Sequence, residues 1–290
     1  MIKPIDYKQT DSRWGRLKYA VDGESSTIKS AGCGITVMAD ILATLISPYI
    51  TPVTTASWSR MKGYKVKNSG TSYSYPVAQG KEYGVSITRM NTSNVYHQPN
   101  NGLHDKVLAE LKKGNWIIAC MGKGTWTSSG HYILVYGYEN GYVYINDPAS
   151  SKANRVKNTW NVFKNEVKYY WSVDMSGRQV VSDGDYRQKD FVRECQYCLG
   201  AGLDGVAGKQ TLSKTVSVSS KKNKRHFVVI PLQNKLKKLG LYIGAIDKSV
   251  GTGTTNGINA YQKTVLKYAK QDGEVTAKGK MWKSLLGMKL

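Results

Sequence analysis

The sequence predicts an α+β domain over residues 1–174, a linker over 175–189 and a small, mainly helical domain over 190–290. Apolar residues first recur at helical spacing and then gather in short aromatic and β-branched runs. This order is typical of helices packed on an antiparallel sheet. A polar, aperiodic stretch follows, and beyond it the helical spacing returns. A chain of 290 residues is long enough for two domains that each bury a core.

Helices are expected in the first half of the α+β domain. The longest lies between Ser30 and Pro48, because apolar residues recur there every three or four positions and the proline ends the run. Its entrance is a Gly-Cys-Gly sequence around Cys33. Further helices are predicted at Thr54–Met61, at Tyr73–Tyr83 and from Leu103 up to Gly114.

Strands are expected after Gly114, where aromatic and β-branched residues replace the helical spacing. The predicted strands are Trp116–Met121, His131–Tyr138, Tyr142–Asn146 and Tyr169–Val173. Asn140-Gly141, between the second and the third, is a strong hairpin signal. The second half of this domain is therefore predicted to be an antiparallel sheet.

The C-terminal domain has three groups of apolar residues at helical spacing. They are Leu232, Leu236 and Leu239; Ile258, Tyr261, Val265 and Tyr268; and Met281, Trp282 and Leu285. A weak internal repeat of Asp-led turns starts at Asp204, Asp247 and Asp272, and a threonine follows each turn. An Asp side chain can cap such a turn and the helix after it, so on physical grounds alone these are turns between helices.

The net charge of +22 predicts a polyanionic partner, such as nucleic acid, anionic lipid or an anionic cell wall. Residues 1–174 carry 21 basic and 12 acidic side chains, and residues 175–290 carry 21 and 8, so both halves contribute. No nucleic-acid-binding motif is visible. The apolar runs are too short for a membrane span, and the first 15 residues lack the apolar core of a cleavable secretory signal.

The four cysteines do not form the pattern of a disulfide framework. Cys195 and Cys198 have C-x-x-C spacing, but no second pair accompanies them. Two cysteines one helical turn apart are more often part of a buried helix face. We therefore expect neither a metal site nor a cofactor.

Cys33 is the best candidate for a nucleophile. It lies at the start of a helix, where unpaired N–H groups and the helix dipole favour the thiolate. Of the four histidines, only His131 begins a strand, and it follows a small-residue loop that allows close backbone approach. A cysteine and a histidine placed in this way predict nucleophilic catalysis with His131 as the base.

The residue that orients the imidazole is Asn146 or Asp147, at the end of the second hairpin strand. A plain two-residue turn at Asn140-Gly141 places Asn146 on the face of His131, whereas a one-residue bulge places Asp147 there. Gln9 is a candidate for the side-chain donor of an oxyanion hole, with the Cys33 backbone N–H as the second donor.

Residues 4 to about 150 resemble the papain-like peptidases of the bacteriocin-leader type. The matching segments are QTDSRW at 9–14, SAGCGIT at 30–36, GHYILVYGY at 130–138 and INDP at 145–148. The resemblance implies a papain-like fold and a Gln9, Cys33, His131 and Asp147 catalytic set. It favours Asp147 because the third residue of that family is the Asp of a strand-terminal Asp-Pro pair.

The second half is similar to small helical peptidoglycan-binding domains. The matching segments are PLQxxLxxLG at 231–240, GxxDxxxGxxT at 244–254, IxxYQ at 258–262 and DGxV at 272–275 with Trp282; residues 190–216 resemble a partial copy. The resemblance implies that Asp204, Asp247, Asp272, Tyr261 and Trp282 contact the wall. Where the family has Asp-Gly in its central loop, this chain has Asp247-Lys248.

A hydrolase joined to such a domain resembles the endolysins of phages of Gram-positive bacteria, the clostridial type most closely. This implies thiol-dependent hydrolysis of an amide bond in peptidoglycan, by an endopeptidase or by an N-acetylmuramoyl-L-alanine amidase. The expected partners are peptidoglycan and anionic wall polymers, with no nucleic acid and no membrane insertion; self-association through the C-terminal domain is compatible. The alternatives are a non-catalytic wall-binding protein and a leader-processing peptidase. The expected location is the host cytoplasm until a holin releases the protein to the wall.

Overall fold

The computed structural model of the protein describes residues 1–290, which form two compact units, Met1–Asp183 and Gly184–Leu290. Their boundary falls inside the segment 175–189, for which the sequence predicts a linker. The start of that segment is packed rather than free, because Met175 is buried and its N–H donates to Asn115 Oδ1 at 2.9 Å. No helix in either unit combines the length and the apolar character that crossing a bilayer would need.

The first unit has the predicted helices and strands and several short additional ones. In chain order its elements are α1 (Ile28–Ala31), α2 (Cys33–Leu45), α3 (Pro52–Met61), α4 (Tyr75–Tyr83), β1 (Ile87–Arg89), α5 (Leu103–Lys112), β2 (Trp116–Met121), β3 (His131–Glu139), β4 (Tyr142–Asn146), α6 (Ala153–Val156), β5 (Lys157–Thr159), α7 (Trp160–Glu166) and β6 (Val167–Val173). The α+β fold class is confirmed.

The six strands form one antiparallel sheet in the order β1-β6-β2-β3-β4-β5. Helix α2 contacts β3 and α4 contacts β1, while α5 contacts β2, β3 and β6 and α7 contacts β4 and β5. Every residue of the central strand β2 is buried, and Ile117, Ala119 and Met121 pack in a hydrophobic cluster with Val107 and Leu111 of α5. The helix α2 is buried from Gly34 to Leu45, which explains why its sequence is apolar on nearly all sides.

Two β-bulges interrupt the strand pairing of the sheet. The pairing of β3 with β4 shifts between Val135 and Gly137, so Tyr136 is an extra residue. The pairing of β2 with β6 shifts between Cys120 and Met121, so Lys168 is an extra residue on β6. A bulge redirects the side chains on one side of it relative to the partner strand.

The N-terminal segment is attached to α2 by a buried carboxyl group. Asp40 Oδ1 accepts from the Tyr7 N–H at 2.8 Å, and Asp40 Oδ2 accepts from Asn146 Nδ2 at 3.2 Å. Burial raises the pKa of Asp40 well above its usual range. One side chain thus connects the segment before Gln9, the helix that begins at Cys33 and the end of β4.

The second unit consists of α8 (Gln188–Leu199), α9 (Lys209–Lys214), α10 (Val229–Lys238), α11 (Thr252–Thr264) and α12 (Lys280–Leu285). Its core includes Trp282, which is fully buried and donates from Nε1 to Val216 O at 2.9 Å. Three of the apolar residues predicted at helical spacing lie outside the helices. Leu239 and Val265 directly follow the ends of α10 and α11 and are exposed, and Tyr268 lies four residues beyond the end of α11.

The three Asp-led turns of this unit share one hydrogen-bonding pattern. A buried glutamine on the preceding helix places Nε2 within 2.6–2.7 Å of the Asp Oδ1; the pairs are Gln196 with Asp204, Gln233 with Asp247 and Gln262 with Asp272. The glutamine Oε1 accepts from the Asp N–H in each turn. The residue after the Asp has a positive φ, at Gly205, Lys248 and Gly273. The sequence repeat is therefore a structural repeat, and Lys248 adopts the conformation that glycine has in the other two turns.

Candidate active site

Cys33 is the first residue of α2, and Gly32 occupies the N-cap position. A Cβ atom at Gly32 would lie 2.4 Å from Ile28 O, so the turn between α1 and α2 accepts only glycine there. This turn places the thiol at the helix N-terminus, where the unpaired N–H groups and the helix dipole stabilise a negative charge. Gly32 is thus required for steric reasons, and the position of Cys33 at the helix N-terminus favours its thiolate electrostatically.

Cys33 and His131 have pKa values that favour a thiolate–imidazolium pair. Burial acts to raise the pKa of the Cys33 thiol, but the hydrogen bond from His131 and its charge hold that pKa below the usual value. Burial acts to lower the pKa of His131, but Asp147 and Cys33 together raise it to about 9. Near neutral pH the pair is therefore a nucleophile beside a proton donor.

The third member of the set is Asp147, which immediately follows β4. His131 Nε2 donates to Asp147 Oδ1 at 2.7 Å, so Nδ1 is the ring nitrogen left for the Cys33 thiol. The bulge at Tyr136 shifts the register by one residue and brings Asp147 to the face of His131. Asn146 points elsewhere, because its amide donates to Ile5 O at 2.9 Å and to Asp40.

Asp147 has a second cationic partner, Arg155 on α6, which the sequence analysis missed. Arg155 Nε donates to Asp147 Oδ2, and the Ala149 N–H donates to Asp147 Oδ1 at 2.9 Å. Burial acts to raise the pKa of Asp147, but its contacts with His131, Ala149 and Arg155 keep that pKa below its usual value. Arg155 is itself held by two hydrogen bonds with Trp126. Arg155 Nη2 donates to Trp126 O, and Trp126 Nε1 donates to Arg155 O. The carboxylate is thus held ionised inside the protein.

Gln9 is buried, and its position is set by two contacts. Its backbone N–H donates to Pro148 O at 2.8 Å, and its side-chain Nε2 donates to Lys29 O at 2.6 Å. These contacts connect Gln9 to Pro148, which follows the catalytic Asp147, and to Lys29, which lies four residues before Cys33. The amide nitrogen has a second N–H, and an oxyanion-hole role would use that one.

A cleft of about 900 Å³ contains Cys33 and His131. Most of the residues that line it are small and polar: Ser26, Ser30, Asn68, Ser69, Gly70, Thr71, Ser72, Ser129 and Gly130. Its larger side chains are Val66, Tyr73, Tyr132 and Lys168, and Cys120 also lines it. A cleft lined in this way suits an extended substrate with small side chains that makes backbone hydrogen bonds.

One wall of the cleft is a short turn between Lys65 and Thr71, which pair across an isolated bridge. It is anchored by an ion pair between Lys65 Nζ and Glu24 Oε1 at 2.5 Å, in which both side chains are buried. The hydrogen bond from Lys65 lowers the pKa of Glu24 to about 2. The Asn68 N–H also donates to Glu24, so a single carboxylate holds both the base and the tip of the turn.

His104 and the three other cysteines have structural surroundings. His104 is buried and contacts Tyr170 Oη at 2.9 Å and Gln98 O at 3.0 Å. Burial raises the pKa of the Cys120 thiol to about 12 and raises those of Cys195 and Cys198 well above their usual value. Of the four thiols, only Cys33 has a lowered pKa.

The structure separates the five residues predicted to contact the wall into two groups. Tyr261 and Trp282 are buried, and Tyr261 Oη is hydrogen-bonded to Ser284 Oγ at 2.8 Å, so neither ring is presented at the surface. They are core residues of the second unit. Asp204, Asp247 and Asp272 are exposed, but each uses Oδ1 to hold its own turn.

A protein-family comparison covers the part of the chain that forms this site. The model of the Peptidase_C39 like family matches residues 7–177, which include Gln9, Cys33, His131 and Asp147. A crystal structure of a protein described as a C39-like peptidase from Bacillus anthracis is 12% identical, with a TM-score of 0.36 over 59% of this chain and 94% of that chain. No curated protein matches the sequence. The family match covers more than half of the chain, and it spans the cleft in which a cysteine at a helix N-terminus meets a histidine and a buried carboxylate. The chain therefore belongs to the Peptidase_C39 like family, and its first unit is a papain-like cysteine peptidase.

Proposed function

We propose that the protein is a phage endolysin that hydrolyses an amide bond in the peptide part of Gram-positive peptidoglycan, as an endopeptidase. The observation that carries the proposal is the combination of a thiol hydrolase with a second unit of three Gln–Asp turns. The sequence of that unit resembles peptidoglycan-binding domains. The unit would hold the enzyme on the wall and raise the local concentration of substrate.

In the proposed reaction, the Cys33 thiolate attacks the carbonyl carbon of the scissile amide. The resulting oxyanion is stabilised by the Cys33 backbone N–H and by the Gln9 amide. His131 gives its proton to the leaving amine and then takes a proton from the water that hydrolyses the thioester. Asp147 orients the imidazole and stabilises its protonated form.

The charge of the chain supports a wall substrate. A net charge of +22 would bring the protein to a polyanionic surface and lengthen its stay there, with a strong dependence on salt. Teichoic acids and muropeptides make Gram-positive walls polyanionic. In the endolysin proposal the protein stays in the host cytoplasm until a holin opens the way to the wall.

The complete set of Cys33, His131 and Asp147 argues against a non-catalytic wall-binding protein. A leader-processing peptidase would have no use for a second unit of the wall-binding type. An N-acetylmuramoyl-L-alanine amidase could use the same residues and differs only in the bond that it cuts.

The test is the clearing of purified Gram-positive walls, followed by turbidity, with wild type and Cys33→Ala. We expect clearing by wild type and none by Cys33→Ala. Equal clearing by both would disprove the thiol mechanism, and no clearing of any wall by wild type would disprove the wall substrate. Mass spectrometry of the fragments then identifies the bond: new L-alanine N-termini would indicate an amidase, and new termini further along the stem or in a cross-bridge would indicate the endopeptidase.

A further inference from the structure

Lys168 lines the same cleft as the catalytic histidine, and it is the extra residue of the bulge in β6. In the pairing of β2 with β6, Cys120 is opposite Tyr169 and Met121 is opposite Val167, which leaves Lys168 without a partner on β2. On its other edge, β2 pairs Met121 with His131. The extra residue thus brings a lysine to the cleft at the level of His131, and bulges beside active sites commonly redirect a side chain in this way.

The ammonium group of Lys168 is held over the loop that precedes His131. Lys168 Nζ donates to Ser129 O at 3.1 Å. A Cβ atom at Gly130 would lie 3.3 Å from Lys168 Nζ, so the glycine leaves room for the ammonium next to the backbone. An ammonium has three N–H groups, and this contact uses one of them.

The charges around the cleft leave Lys168 without an acidic partner. The ionisable side chains that line it are Cys33, Cys120, His131, Lys168 and two tyrosines, and none is a carboxylate. Glu166, two residues before Lys168, already accepts from the N–H and the hydroxyl of Thr125. The cleft therefore presents a fixed positive charge whose remaining donors are available to a ligand.

We propose that Lys168 is a specificity-determining residue that binds a free carboxylate of the substrate peptide, on the Ser129-Gly130 side of the scissile bond. The inference rests on the proposed hydrolase function and specifies its substrate as a peptide with a free carboxylate close to the cleaved amide. A carboxamide at the same place binds less well, because its oxygen can accept a hydrogen bond from the ammonium but it carries no negative charge to pair with it.

The test compares two alkylating reagents that differ in charge, the anion iodoacetate and the neutral iodoacetamide. Both react with the Cys33 thiolate, and peptide mass spectrometry assigns the modification to Cys33, with Cys33→Ala as the background. The measured quantity is the ratio of the two rate constants, in which any change in the reactivity of the thiol cancels. We expect Lys168→Met to lower the iodoacetate-to-iodoacetamide ratio about fivefold, the effect of one partly exposed charge contact.

Two variants serve as controls. Lys168→Arg keeps the positive charge and should keep the ratio, and Lys123→Met removes an exposed lysine outside the cleft lining and should leave the ratio unchanged. If Lys168 only supports the Ser129-Gly130 loop, Lys168→Met will slow both reagents alike and the ratio will stay constant. That outcome, or an equal fall in the ratio with Lys123→Met, overturns the proposal.

A second measurement uses matched stem peptides that differ only in a free or an amidated carboxyl group beside the scissile bond. Lys168→Met should raise KM for the free acid and leave kcat for both peptides unchanged. If wild type clears no walls but the alkylation ratio falls as expected, the wall substrate is wrong and the carboxylate site stands. If wild type clears walls and the ratio does not fall, the carboxylate site alone is wrong.

Discussion

Arg155 and His131 bind different oxygens of the buried Asp147 carboxylate. The guanidinium donates to Oδ2 and the imidazole donates to Oδ1. The arginine therefore keeps Asp147 ionised without occupying the oxygen that orients the base. It acts on catalysis through Asp147, as a positioning residue.

Replacing Arg155 by Met should weaken catalysis without removing any group that touches the substrate. We expect kcat/KM to fall about tenfold, corresponding to the loss of one charge-assisted hydrogen bond worth about 1.5 kcal/mol. The pKa of Asp147 should rise, so the acid limb of the pH–rate profile should move to higher pH. Arg155→Lys keeps a cation and should shift the limb less. An unchanged profile in Arg155→Met would show that the arginine has only a structural role.

Activity should have an upper pH limit set by His131. The leaving amine needs the imidazolium proton, and the pKa of His131 is raised to about 9, so kcat/KM should fall as the pH rises through about 9. Asp147→Asn removes the charge that raises this pKa and should move the basic limb to lower pH, with a loss in kcat of at least about a hundredfold. The measurement is the pH profile of peptide hydrolysis; a basic limb at the same pH in both proteins would contradict the assignment.

The buried pair of Glu24 and Lys65 should matter for stability as well as for the shape of the cleft. Glu24→Gln leaves the Lys65 ammonium buried without a counter-charge, so the melting temperature of the first unit should fall by several degrees at pH 7. The pKa of Glu24 is about 2, below its usual value of 4.5. The pair therefore stabilises the fold above about pH 4.5 and loses this effect as the pH falls towards 2.

The matched control for this prediction is Glu274→Gln, which breaks the ion pair with Lys222. The lysine of that pair is exposed, and such surface pairs contribute little. Thermal unfolding of both variants should show a clear loss for Glu24→Gln alone. Equal losses, or none in either variant, would mean that the Lys65–Thr71 turn does not depend on the buried pair.

Wall binding should depend on the exposed basic loop of the second unit, which consists of Lys221, Lys222, Lys224 and Arg225 with Asn223. Full-length Cys33→Ala should sediment with purified Gram-positive walls without clearing them and should be released by salt. Changing the four basic residues of the loop to Gln should lower the salt concentration at half release. The control changes four exposed lysines elsewhere in the unit to Gln: Lys209, Lys214, Lys263 and Lys289. Equal shifts would indicate that net charge, rather than this loop, holds the protein on the wall.

Much of the sheet could be predicted from the sequence, because its central strands are long apolar runs and the hairpin turn has a strong local signal. The bounds predicted for β2 and β4 match the structure. The edge strands β1 and β5 were missed, since each has only three residues and pairs on one side. Their pairing is set by tertiary contacts and leaves no local pattern.

The site was predictable where the chemistry is local and not where it depends on register. Cys33 at a helix entrance and His131 at a strand start can be recognised from neighbouring residues. The choice between Asn146 and Asp147 depends on a bulge at Tyr136 that has no signal of its own. Arg155 and Lys168 were missed for the same reason, because a four-residue helix and a second bulge bring them to the site.

The helix α11 belongs to two of the three Gln–Asp turns at once. Near its start, Thr254 Oγ1 accepts from Gln233 and helps to close the second turn; near its end, Gln262 holds the third. Melting either turn therefore removes an anchor from the helix on which the other depends. The two turns should thus unfold as one cooperative step, and a ligand bound at one of them would protect the other from hydrogen exchange.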